Sequence, residues 1–398
     1  KVAWQQLKLD LIGQNADTAE RKQLAQLLLQ NMTVDALEVV IVSTDDTTTH
    51  SDSATNLDDI VLPRVHLPLS IIAEPVTFTS ARLTLVDSAN NSPLAANAED
   101  KSPAPLLDFS QLKLHASMQG EKVDVKQLSA VMPEISAELV GNIMLEEPYV
   151  LKLDSNIEVR DMAPLSNSQY QLQAQGSVRE LEVALSSRSL LNLDLNATLK
   201  PLTQGIPFDA MLNWKNMQWP LPSPEVTAPA WISQDGRLSV KGQLHDYQYQ
   251  LNGQIQSDLL STTSIIAAGN GDLQQLTIKR FKANSDAGQM AINGKLSWDP
   301  ALAWNGDIEF QQLKLQPFVS ALSGQLNANM STSFHMTPAG WNMALSDAEF
   351  KGDIDGYPVQ LSAELEGNMA AETHSKQPFG NWELSRFHLV LGNHQERS

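Results

Sequence analysis

Cysteine is absent from the 398-residue chain, which excludes a disulfide framework and any thiolate metal site and leaves the fold indifferent to an oxidising compartment. Basic residues are scarce, with 27 lysines and arginines against 46 aspartates and glutamates and a formal charge of −19. Such an acid excess excludes a nucleic-acid binder and excludes docking on anionic lipid by charge alone. No run approaches the ~18 consecutive apolar residues of a membrane-spanning helix, and no basic-then-apolar signal opens the chain. Starting at Lys1 within a strand pattern, the sequence reads as a middle piece of a longer protein.

Catalytic and metal signatures are also missing. The histidines, His50, His66, His115, His245, His335, His374, His388 and His394, have no ligand spacing such as H-E-x-x-H. The acidic pairs Asp45, Asp46 and Asp58, Asp59 lack the glycine and terminal glutamate of a calcium loop. There is no G-x-S-x-G elbow and no P-loop, and GNGD at 269–272 reads as a hairpin turn. The expectation is a chain that is not an enzyme and holds no metal or cofactor.

What is present is alternation. Residues 168–178, 191–200, 236–244, 324–336 and 358–367 alternate apolar and polar side chains over about ten residues each, the period of a one-faced strand. With no helical pattern between them, neighbouring strands are expected to be antiparallel hairpins. Residues 1–42 read as a strand followed by one short amphipathic helix, opened by a capping box at Asp17 to Glu20 and striped by Leu24, Leu27, Leu28 and Met32. Residues 43–59 form a polar loop. Residues 60–398 form an elongated β-region, interrupted by a linker at 87–105 and a proline-rich edge loop at 219–231. The stretch 141–165 resembles 294–318 at an offset of 153 residues, as an internal duplication would.

The apolar parity runs through Leu139, Ile143, Leu145, Tyr149, Leu151, Leu153 and Ile157, then Leu172 and Ala174, then Leu191, Leu193 and Leu195. It continues through Leu238, Val240, Leu244, Leu251 and Ile255, then Ile292, Leu296, Trp298, Leu302, Trp304, Ile308 and Phe310. Leu326, Ala328, Met330 and Phe334, with Leu361, Ala363 and Leu365, complete it. Gly141, Gly176, Gly294, Gly306 and Gly324 fall on the same parity and are read as bends in the sheet. Asn252-Gly253 has the form of a tight hairpin turn. A one-faced sheet must cover its apolar side with a second sheet, by closure, or with a ligand. Strands stacked ~4.8 Å apart in one long ladder would have to curl.

Three segments carry a likeness: VLPRVHLPLSI from Val61; NWKNMQWPLP from Asn213, leading to VKGQLHDYQYQLNGQI from Val240; and AINGKLSWDPALAWNGDIEF from Ala291. In this order, over about residues 60–368, they resemble the TamB family of the AsmA-like, bridge-like lipid transport group. The resemblance implies an all-β fold, a long antiparallel sheet curled into a U-shaped, taco-like hydrophobic trough. Its wall would be the apolar-parity residues above. It implies a place in the periplasm of a Gram-negative bacterium, within an inner-membrane-anchored protein, and the carriage of phospholipid between the two membranes. It also implies two attachments outside these residues, an amino-terminal anchor in the inner membrane and a carboxy-terminal region docking on an outer-membrane barrel of the Omp85 type, TamA. The other reading is a scaffold or chaperone that offers strand edges to outer-membrane β-barrel proteins during insertion.

Overall fold

In the computed structural model the described residues are 2–10, 25–43, 62, 64–87, 107–162, 165–189, 191–221, 229–258, 260–337, 340–370 and 381–392. They are almost entirely strand, as the alternating pattern requires. The chain divides into two compact units, residues 1–190 with 194–206, and residues 191–193 with 207–398.

The first unit holds β1 (Val2–Asp10), β2 (Ala25–Val34), β3 (Leu37–Ser43), β4 (Leu67–Phe78), β5 (Ala81–Asp87) and β6 (Leu107–Phe109). It continues with β7 (Gln111–Gly120), β8 (Lys122–Val131), β9 (Ile135–Met144), β10 (Val150–Val159), β11 (Ser168–Ser177) and β12 (Glu180–Arg188). Nine of these form one ladder in the order β1, β2, β4, β7, β8, β9, β10, β11, β12. The other three, β3, β5 and β6, form a small second sheet. The two sheets meet at a corner where β2 runs on into β3, β4 into β5 and β6 into β7. Thr79 N donates to Val34 O at 3.0 Å, and Leu37 N donates to Ser80 O at 2.9 Å. Ala73, Val76, Ala81 and Thr84 are buried around this corner.

Two expectations fail in this region. Residues 25–34, including Leu27, Leu28 and Met32, are strand and not helix, because β1 and β4 flank them on either side and supply the backbone partners. The capping box and Leu24 lie outside the described residues. The rule of antiparallel neighbours fails too, since β2 runs parallel to β4 and β3 parallel to β5. Most of the stretch between β3 and β4 lies outside the described residues.

Strand β13 (Asn192–Leu199) falls where the chain divides. The second unit holds β14 (Phe208–Trp219), β15 (Trp231–Gln243), β16 (Asp246–Ser257), β17 (Thr263–Gly271), β18 (Gln275–Ser285) and β19 (Gly288–Ser297). After them come β20 (Ala303–Lys314), β21 (Gly324–Thr337), β22 (Gly340–Ile354), β23 (Tyr357–Ala370) and β24 (Asn381–Leu391). Each pairs antiparallel with the next, so this unit is an eleven-stranded meander. Trp219 and Trp231, the ends expected to bound an edge loop, are strand residues opposite one another. Asn252-Gly253 is the middle of β16 and not a turn. Ser43 and Asp87 likewise end strands, while most of the polar loop and of the 87–105 linker lies outside the described residues.

Candidate functional site

Register decides which side chains share a face, because directly opposed residues point the same way. In the second unit one rung runs Trp214, Gly236, Gly253, Ile265, Ala283, Met290, Phe310, Ala328, Phe350, Leu361, Leu389, one residue from every strand. A second rung runs Phe208, Gly242, Tyr247, Gly271, Leu276, Leu296, Trp304, Phe334, Met343, Gly367, Trp382. No charged residue interrupts either. The β-bulges keep this match: between Ala268 and Gly269, Ile278 and Phe281, and Leu345 and Ala348 the register shifts, and apolar partners stay opposed on both sides of each shift.

The opposite face carries the polar partners, among them Asp209 with Lys241 at 3.0 Å, Ser331 with Asp307 at 2.8 Å and Arg386 with Glu364 at 3.0 Å. Exposed pairs of this kind contribute little to stability. The apolar face is therefore the larger energetic term, yet it is only half covered. Among the described residues most of the buried hydrophobics are alanines, such as Ala267, Ala328 and Ala348, while Trp298, Leu302, Met336 and Met343 remain exposed. Along β24 every residue is exposed, with Phe387 at 59%.

Polar atoms on this face are turned back into the sheet. Trp304 Nε1 donates to Thr332 Oγ1 at 2.8 Å, and Trp214 Nε1 donates to Ser233 Oγ at 2.8 Å. At the turn ends, Trp298 Nε1 donates to Leu273 O at 2.7 Å and the Tyr247 hydroxyl to Asp272 O at 3.2 Å. Burial, with Asp272 nearby, holds the Tyr247 phenol above its ordinary pKa, and burial does the same for Tyr249. Both therefore stay neutral.

In the first unit the same logic holds. Leu27, Ile71, Met118, Val123, Ile143, Leu151, Gly176 and Leu181 form one rung, in register from β2 to β12. Leu139, Leu153, Ile157, Leu172, Ala174 and Gly141 share its face. The sheet also has hollows on its polar side. One of about 630 Å³ is lined by Ser129, Glu138, Asn156, Glu158, Gln171 and Arg188 among others, a set suited to water.

Most expected residues thus come together within their own unit. Leu238, Val240, Leu251, Ile255, Ile292, Leu296, Trp304, Ile308, Phe310, Leu326, Ala328, Met330, Phe334, Leu361, Ala363 and Leu365 all share the second unit's face. Leu244, Trp298 and Leu302 sit in or beside turns at its border and not in strands. Leu145 and Tyr149 lie in the turn between β9 and β10, where they hold the approach to β4. Leu145 O accepts from Val65 N at 3.0 Å, and the Tyr149 hydroxyl donates to Leu62 O at 2.5 Å. Leu191 precedes β13, which contains Leu193 and Leu195. Sequence reasoning missed Trp214, Ser233 and Thr332, whose partnership depends on register that alternation cannot supply.

Arg64 and His66 fasten the same approach. Glu121 Oε1 accepts from Arg64 Nη2 at 2.5 Å and meets His66 Nδ1 at 2.7 Å, and Glu146 lies 3.2 Å from Arg64. The Arg64 hydrogen bond, helped by His66, holds the Glu121 carboxyl below the usual range.

Compared with known families, residues 1–395 match the family described as TamB, N-terminal domain. No solved structure matches the chain.

Proposed function

The chain belongs to the TamB family, and from that premise we propose that it is a non-enzymatic conduit for phospholipid in the Gram-negative envelope. The observation that carries this reading is an apolar face of eleven strands whose two rungs hold no charged residue, half-exposed and without free indole donors at Trp214 and Trp304. A lipid tail of about fifteen methylenes gains roughly 12 kcal/mol on leaving water, at ~0.8 kcal/mol each. Carrying it between membranes requires a surface that offers the same refuge at every step. The face of each unit does so along every strand, and a sheet curled around that face would shield the tails. Strand-wall side chains such as Ile292, Ile308, Phe310 and Leu365 are assigned to the lining, with Trp298 and Leu302 at its border.

Photocrosslinking groups at neighbouring positions of β20 test the assignment. Ile308 and Phe310 should capture phospholipid in cells, and Asp307 and Glu309 should not. Equal capture at both parities would sink it. A second reading has its own observation, the full exposure of β24. Such a strand suits a scaffold for unfolded outer-membrane β-barrel proteins, working with an outer-membrane partner. Crosslinks from β24 to barrel precursors, without lipid at Ile308, would favour it.

A further inference from the structure

Trp214 and Trp304 are anchored in the same chemical way from different places in the ladder. Trp214 lies against Gly236, where an added Cβ would fall 2.0 Å from its Cζ2. Trp304 lies against Gly306 and Gly294, where added Cβ atoms would fall 2.6 Å and 2.7 Å from the ring. Each indole gives its one N–H to a hydroxyl on the same face, at 2.8 Å in both cases. Each hydroxyl then donates to a backbone carbonyl, Ser233 to Gln254 O at 3.0 Å and Thr332 to Gly306 O at 3.1 Å. Both relays end inside the sheet.

A serine is otherwise out of place at 233. Its opposed residues are Met217 and Ile255, and it is 3% exposed. It reaches the apolar face through the bulge between Ser233 and Asp235. Thr332 is likewise set between Gly306 and Leu345. Removing either hydroxyl would leave an indole N–H on an apolar surface. Phospholipids carry ester and phosphate oxygens, and a donor in a dry environment holds such acceptors far better than one in water.

We propose that Ser233 and Thr332 mask the indole donors of Trp214 and Trp304, so that an oxygen-bearing lipid meets aromatic surface with no hydrogen bond to detain it. This rests on the conduit reading and adds to it a requirement on release. The masks are positioning residues that act through the indoles.

The test times the release of a phosphatidylethanolamine with a fluorescent acyl chain from the purified chain to acceptor vesicles. Release of radiolabelled hexadecane, which has no oxygen, is timed beside it. Thr332→Val and Ser233→Ala should each lengthen phosphatidylethanolamine residence about threefold to tenfold. Hexadecane release should be unchanged, and Thr332→Ser should restore the wild-type rate. If the variants slow both probes alike, or neither, the proposal is overturned, because a displaced ring would alter hydrocarbon packing too. The two sites lie on separate strands, so a folding defect at one leaves the other to decide. A wild-type chain that takes up neither probe would overturn the conduit reading itself, and the masking reading with it.

Discussion

Gly306 stands directly opposite Gly294 across β19 and β20, and the indole of Trp304 rests against both. The glycines are therefore a seat for a side chain, and this is a separate matter from any bend. A Cβ on Gly306 would fall 2.3 Å from Asn293 O and 2.6 Å from Trp304 Cζ2, and the backbone contact cannot yield as a side chain can. Gly306→Ala should destabilise the second unit by about 1–3 kcal/mol and shift tryptophan emission to the red as Trp304 lifts away. An unchanged denaturation midpoint with unchanged emission would show that the seat does not exist.

The middle of the apolar face should tolerate a charge structurally and not functionally. Ile308 is half-buried between Ile292 and Met330, so an arginine there can reach water with its head group while its stem covers the sheet. Ile308→Arg should leave the circular dichroism spectrum of the strands in place and cut bound phospholipid, measured by native mass spectrometry, by at least severalfold. Full lipid occupancy in that variant would argue against passage along this face.

Strand parity was legible because each strand is long and one face of it is apolar, so a slip of one residue would be costly everywhere at once. The offset of 153 residues was legible for the same reason, and it maps β9 (Ile135–Met144) onto β19 (Gly288–Ser297) end to end. Within that match the residues differ instructively. Gly141 faces Leu153, whose side chain fills the space. Gly294 faces Gly306, and Trp304 fills it from two residues away. That exchange needs cross-strand register, which no single segment contains. The leucines of β2 misled for a different reason: Leu27, Leu28 and Met32 fit a helical stripe, and a strand with partners on both sides shows no clear alternation to oppose it. Nor does any local signal announce that β2 and β4 run parallel, because the sequence between them shows no helical pattern of the kind that marks a parallel crossover.

The fastening before β4 should be sensitive to acid. Glu121 accepts from Arg64 and contacts His66, with Glu146 as the second carboxylate beside Arg64. Its carboxyl is held below the ordinary value of 4.5, chiefly by the Arg64 hydrogen bond. A carboxylate with a depressed folded-state pKa contributes stability that is fully present above its unfolded value and is lost as pH falls through the folded one. The contribution of Glu121 is thus constant from neutrality down to about pH 5 and disappears below the ordinary carboxylate range. Glu121→Gln should lower the urea midpoint of the first unit at pH 7 and make a progressively smaller difference in acid, as the pH falls through the lowered folded-state pKa of the wild-type carboxyl. Because Val65 N and the Tyr149 hydroxyl hold the same segment through backbone carbonyls, the strands should survive the change. A midpoint difference of equal size at pH 7 and in acid would mean that Glu121 acts through packing and not through its charge.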